Sequence, residues 1–139
     1  MAASFAITDL ISNRHRVENV FGPWPSFHDC LLLAVRLESG EAAVVEIDIL
    51  APTDYEKGGE LHSPIHEYLV TIRFNDASEI ILTDFVAGNI IGELTLSLES
   101  SEQDPPRARV RVEPIPACGV ELSLLCNRVD VISVIPAAT

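Results

Sequence analysis

The sequence predicts a mainly β protein: an antiparallel sheet, curved on itself or packed as a sandwich, of about seven to eight strands, after one or two short N-terminal helices. Three observations predict this class. Apolar residues recur with period two through most of the chain from Asp29 onward. Short breaks rich in Gly, Asn, Asp, Ser and Pro separate these runs at hairpin-like spacing. No alternating run is followed by a long amphipathic helix, so βαβ crossovers find no support. A length of 139 residues suits one domain, 1–139, with a helical and loop lead-in over 1–28 and a β body over 29–139.

In the lead-in, Leu10, Ile11, Val17 and Val20 recur at roughly helical spacing, with Ser4 or Thr8 as a cap. That places helix between about Ile7 and Val20, weakened at Asn13 and His15. The run from Asp29 to Glu38 carries Leu31, Leu33, Val35 and Leu37 on one face. Leu32 and Ala34 make its other face apolar too, as expected of a central strand. Ser39-Gly40-Glu41 is a turn. From Ala42 to Leu50, Val45, Ile47 and Ile49 alternate with Glu46 and Asp48, which predicts one solvated face. Ala51 to Pro64 is a long polar loop. His66 to Asn75 alternates Tyr68, Val70, Ile72 and Phe74. After a turn at Asn75–Ser78, a strand over Glu79–Phe85 continues antiparallel. Asn89–Leu98 is the next strand. Arg107–Glu113 reads as a short edge strand, and Val120–Val134 closes the chain with a polar break at Asn127-Arg128.

Composition bounds the function. The apolar fraction of 47% and charged fraction of 22% are ordinary globular values, and no apolar run is long enough for a membrane span. Met1–Ile7 lacks a basic region and meets Asp9 early, unlike a secretory signal, so cytoplasmic location is expected. Cys30, Cys118 and Cys126 form no CxxC pair, and the odd count argues against a disulfide framework. Cys30 and Cys126 sit in apolar runs and read as small core residues. Nine basic against 21 acidic residues leave a formal charge of −12. Such a field repels nucleic acid and anionic membrane and favours basic partners, although acidity alone also serves solubility.

The densest chemistry lies in Phe21-Gly22-Pro23-Trp24-Pro25-Ser26-Phe27-His28-Asp29, which holds the only Trp and two of the five Phe. Trp24 between two prolines suits neither helix nor a central ladder. The segment reads as an ordered loop in which Phe21, Trp24, Phe27 and Asp29 are structural anchors. Asp29 is expected to accept backbone N–H bonds and His28 to bond a carbonyl. Burial of Trp24 is favoured over a role as an interface anchor.

This motif before a Leu-rich strand resembles the immunity protein 50 family of bacterial polymorphic-toxin systems. Two further segments join it: Val70-x-Ile72-x-Phe74, and the C-terminal run Val112-Glu113-Pro114, Cys118-Gly119 and Leu122 to Val134. The chain departs from the family pattern at Cys30, where a smaller residue is expected. The resemblance implies a cytosolic protein that binds and neutralises a toxin rather than an enzyme, with no catalytic set to carry over.

Candidate partner-binding residues are Trp24, His28, Asp54, Tyr55, Glu56 and Glu60: an aromatic among carboxylates suits Lys and Arg on a basic toxin domain. A solvated loop is the bland reading of the same segment. For metal, the sole plausible cluster is His28, Asp29, His62 and His66. Pro64 breaks the helical spacing of the two later histidines, so no metal and no cofactor is expected. Ser26, Ser63, Cys30 and Cys126 lack a nucleophile elbow, and Gly58-Gly59 lacks the Lys-Ser/Thr of a phosphate loop. Two alternatives stand beside toxin binding: a small enzyme or ligand-binding domain using the cavity of a curved sheet, and an assembly subunit that homodimerises through an edge strand.

Overall fold

The computed structural model describes residues 10–53, 66–100 and 108–137, which form nine strands and one helix. In chain order these are β1 (Ile11–Ser12), α1 (His15–Phe21), β2 (Cys30–Glu38), β3 (Val44–Thr53) and β4 (His66–Asn75). Then come β5 (Ser78–Thr83), β6 (Ile90–Ser100), β7 (Ala108–Cys118), β8 (Glu121–Cys126) and β9 (Arg128–Pro136). They make one sheet in the order β1-β9-β4-β3-β2-β6-β7-β8-β5. The mainly β, curved-sheet class is therefore correct. The sheet is mixed, however, because β1 pairs parallel to β9.

The sheet is best understood as two halves. β1-β9-β4-β3-β2 is joined to β6-β7-β8-β5 by a contact in which only Cys30 and Leu31 of β2 pair with β6. The halves share one core. From the first half it takes Val45, Ile47, Ile49, Val70, Ile72, Phe74, Val129 and Val131; from the second, Ile91, Val110, Val112, Leu122, Leu124 and Cys126. β7 also approaches β9 directly. Burying each large aliphatic or aromatic side chain stabilises by about 1.5–3 kcal/mol, and this shared core holds the sheet folded over.

Period two accounts for β3 and β4. Val45, Ile47 and Ile49 are fully buried, as are Val70, Ile72 and Phe74 opposite them. Elsewhere bulges change the face. In β2 the core positions are Cys30 and Leu32. The register shift between Leu32 and Ala34 then turns Val35 inward and leaves Leu33 49% exposed. In β6, shifts on either side of Ile91 place both Ile91 and Leu94 in the core, which strict alternation forbids.

Four readings of the sequence need correction. Ile11–Ser12 is a strand, not helix: Asn13, at φ 62, breaks the chain between it and α1, so helix begins only at His15. Arg107–Glu113 was expected at an edge, but β7 is longer and lies between β6 and β8, with Val110 and Val112 fully buried. The strand after Asn75–Ser78 does not pair with its predecessor; β5 pairs with β8 at the far end of the sheet. The expected loop also starts later, since β3 runs to Thr53; residues 54–65 lie outside the described residues.

Both polar breaks are crossovers between halves. Asp76, at φ 51, is the corner from β4 to β5, and Asn127 the corner from β8 to β9. The Asn127 carboxamide donates to Asp76 Oδ2 at 3.1 Å, and Arg109 donates to the Asp76 carbonyl at 2.7 Å.

A second pin sits where the halves join. Asn89 is 2% exposed, and its Oδ1 accepts from the backbone N–H groups of Val86 (2.9 Å) and Val120 (3.2 Å). Its Nδ2 donates to the Val86 carbonyl, and its own carbonyl accepts from Leu32 N–H at 2.9 Å. Gly119 packs against it at φ 86, where a Cβ would stand 2.7 Å from both Asn89 Oδ1 and Val86 Cγ2. Asn89→Ala leaves the buried N–H of Val120 and the part-buried N–H of Val86 without acceptors and is expected to lower stability by about 1–3 kcal/mol. Gly119→Ala meets both the close approach and the left-handed backbone and is expected to cost at least as much, about 1–3 kcal/mol for the backbone alone. Urea unfolding with an unchanged slope and a lower midpoint checks both.

Candidate functional site

The Phe21–Asp29 segment links α1 to β2 and covers one end of the core. Gly22, at φ 84, ends the helix, its N–H bonding the Glu18 carbonyl at 2.9 Å. Phe27 is 2% exposed and receives Phe21 and Trp24 edge-on, at centroid distances of 6.3 and 5.8 Å. Phe21 also meets Tyr68 of β4 edge-on at 6.0 Å. Of the four expected anchors, Phe27 is therefore the buried one. Phe21 and Trp24 are partly buried against the core. Backbone bonds finish the attachment: Ser26 O accepts from Leu94 N–H, and Asp29 N–H donates to Ile91 O, each at 2.8 Å.

Phe27 and Asp29 both adopt left-handed backbone, at φ 58 and 61. For a bulky Phe this is a costly conformation, held here by the ring's burial. The turn at Asp29 has a chemical result. In a regular strand His28 and Asp29 would face opposite sides; instead the imidazole Nε2 lies 3.2 Å from Asp29 Oδ2. The ring's Nδ1 donates to the Gly92 carbonyl at 2.7 Å, as expected for His28. Asp29 behaves otherwise: its side chain is 70% exposed, and its partner is His28 rather than buried N–H groups. Both ring nitrogens thus lie against a neighbour, Nδ1 against the Gly92 carbonyl and Nε2 against the Asp29 carboxylate.

Beside this pair, Phe21, Pro25, Phe27, Cys30, Ala51 and Pro52 line an open, mostly apolar cleft of about 390 Å³, within the size range of small-ligand pockets. Cys30 offers no nucleophile there: burial, then the nearby Asp29 charge, pushes its thiol up to about 11. Cys126 is buried in the core, and burial raises its thiol to about 12. Both act as the small apolar residues expected of them.

The structure brings together only part of the proposed site. His28 and Asp29 meet, and Trp24 stands nearby. His66 begins β4, opposite Thr53. Asp54, Tyr55, Glu56, Glu60 and His62 lie outside the described residues. Among the described residues no three His, Cys, Asp or Glu side chains gather as a metal site, and no helix is long and apolar enough to cross a membrane.

Sequence reasoning missed a charged ladder on the outer face of β2, β3 and β4. Arg36 grips Asp48 with two bonds of 2.7 Å and Glu46 with one of 2.8 Å. Arg73 reaches Glu46 from the other side at 3.0 Å, and Thr71 donates to Asp48 at 2.8 Å. The alternation of Glu46 and Asp48 was visible, but their partners come from neighbouring strands and no local spacing announces them. Arg36 is the chief cause that holds both carboxyls below their usual range, and Arg73 and Thr71 add to it. The geometry is that of a cross-strand brace, with its charges mutually satisfied.

No family model, no curated protein and no solved structure matches this chain.

Two predictions test the site's structural parts. Phe27→Ala is expected to lose about 3–5 kcal/mol, the range for a buried aromatic, and Trp24→Ala less, because Trp24 is only partly buried. Asp29→Asn is expected to change stability by no more than about 0.5 kcal/mol, since the side chain is exposed and Asn tolerates left-handed backbone. Denaturant midpoints rank the three. For the ladder, lowered carboxyl pKa values mean that the unfolded chain takes up protons first as pH falls. The stabilisation is present at neutral pH and is lost progressively as pH drops through and below the ordinary carboxylate range. Arg36→Gln removes the main cause, so its unfolding midpoint should start lower at pH 7 and fall less steeply on acidification.

Proposed function

We propose that this chain is a non-enzymatic, cytoplasmic, immunity-type protein that binds a basic protein toxin and neutralises it by covering its active surface. The observation that carries the reading is the formal charge of −12 on a single domain of 139 residues. Such a charge draws a cationic partner into fast, oriented encounter. The resemblance of the Phe21–Asp29 motif to the immunity protein 50 family supports the same class of partner.

A second reading rests on the cleft beside His28 and Asp29. Its apolar lining suits a small ligand with one polar end, and a ligand-binding domain would use it. The two readings separate in a growth assay. The chain is co-expressed with the candidate toxin encoded beside its gene in the source genome. Restored growth together with a stable purified complex supports immunity. Growth arrest despite soluble expression of both chains, with no complex formed, removes that reading. The association rate of the complex should fall clearly from low to high salt, because exposed charges are screened beyond ~8 Å at physiological ionic strength. A rate indifferent to salt removes charge steering from the mechanism.

A further inference from the structure

Sheets are open to other chains at their edges, and here the two outermost strands are poor templates. β1 spans only Ile11–Ser12. β5 is short and irregular, its pairing interrupted between Ser78 and Ile81, with Glu79 at φ 51. One open template is internal. β2 pairs with β3 along Leu31–Glu38 but with β6 only at Cys30 and Leu31. From Leu33 to Glu38, one side of β2 therefore has no strand partner among the described residues.

The direction of the vacant groups follows from the ladder. Leu32 N–H bonds Asn89 O, so the backbone of Leu32 faces β6. After the one-residue bulge, bonding to β3 resumes with Ala34 opposite Asp48 and alternates from there. Ala34, Arg36 and Glu38 face β3, while Val35 and Leu37 present N–H and C=O outward. Along this edge Leu33 is 49% and Leu37 54% exposed, and Phe85 and Val86 are exposed across the gap. Leu31, Leu33, Phe85 and Val86 line a groove of about 520 Å³ between the strand and the loop that precedes β6.

We propose that this edge is the docking surface of the chain and that it takes an extended segment of a cationic polypeptide, added antiparallel or parallel to β2. This deepens the toxin-binding reading and rests on it. Charge selects the occupant. Glu38 closes the open edge of β2, Glu41 lies in the turn that follows it, and Asp84 precedes Phe85 of the groove; all three are exposed. Arg36, the cation of this strand, is already held between Asp48 and Glu46. A second copy of a chain carrying −12 is repelled, whereas a segment alternating apolar and basic residues meets both the leucines and the carboxylates.

The test uses the whole chain, labelled for amide exchange, with an alternating Lys-Val peptide of about ten residues, enough to follow the edge at ~3.3 Å per residue. The expected result is saturable binding that protects the Val35 and Leu37 amides, weakens with salt, and is tighter than for an alternating Glu-Val peptide. Leu37→Pro removes an outward donor at an exposed position and should weaken binding roughly tenfold. The Lys-Val peptide N-methylated at alternate amides should fail on the unaltered chain, which keeps the test valid should Leu37→Pro not fold. No binding of the Lys-Val peptide, equal binding of the Glu-Val peptide, protection confined to β5, or a concentration-dependent dimer protecting the same amides would each overturn the proposal. Toxin protection that survives Leu37→Pro in the growth assay would sink the edge alone and leave the immunity reading standing.

Discussion

The buried carboxamide of Asn89 sits where the two halves of the sheet meet, and the fold depends on its being fully bonded. Between β2 and β6 the ladder is only Cys30 and Leu31 deep. Continuity across that seam is completed by Leu32 N–H on the Asn89 carbonyl, while the Asn89 side chain gathers Val86 and Val120. One polar residue thus ties the loop before β6, the turn before β8 and the last strand of the first half. A buried amide is costly unless all of its groups are satisfied, so the arrangement admits little alternative. Gly119 is part of the same constraint, because any side chain there would occupy the space of the amide.

This seam also explains the placement of the open edge. Because β6 leaves β2 after two residues, Leu33–Glu38 has no strand on that side among the described residues. The opposite side of β2 is heavily braced, with Arg36 clamped to Asp48 and Glu46 and Arg73 completing the ladder. A rigid strand with one vacant side is pre-organised for strand addition, since little ordering remains to oppose binding. The Phe21–Asp29 plug acts at another end of the same core. Its strain at Phe27 and Asp29 persists because ring burial and backbone bonds to Ile91 and Leu94 over-determine it.

Much of the β body was legible from residue order. The cores of β3 and β4 follow from strict alternation of Val, Ile and Phe, and the division of the last segment at Asn127-Arg128 follows from its polar break. The thiols of Cys30 and Cys126 read correctly as buried. In the loop, the carbonyl bond of His28 was legible, but the exposed pairing of Asp29 with His28 was not. It depends on a positive φ at a non-glycine residue, which neighbouring contacts impose.

Period-two patterning and turn chemistry are local properties, so the sequence by itself determined that strands form, roughly where they begin, and which side chains of the regular strands turn inward. It also determined the acidic charge from which the proposed basic partner is argued. Only the tertiary structure decided which strands are neighbours. Asn75-Asp76 and Asn127 carry ordinary turn residues, yet they are crossovers, because burying two apolar sheet faces against each other sends β5 and β9 to opposite halves. Bulges in β2 and β6 reversed faces that alternation alone assigns otherwise. The open edge of β2, the Arg36 brace and the Asn89 pin all join residues distant in sequence, and the energy that fixes them comes from long-range packing and pairing that no local window contains.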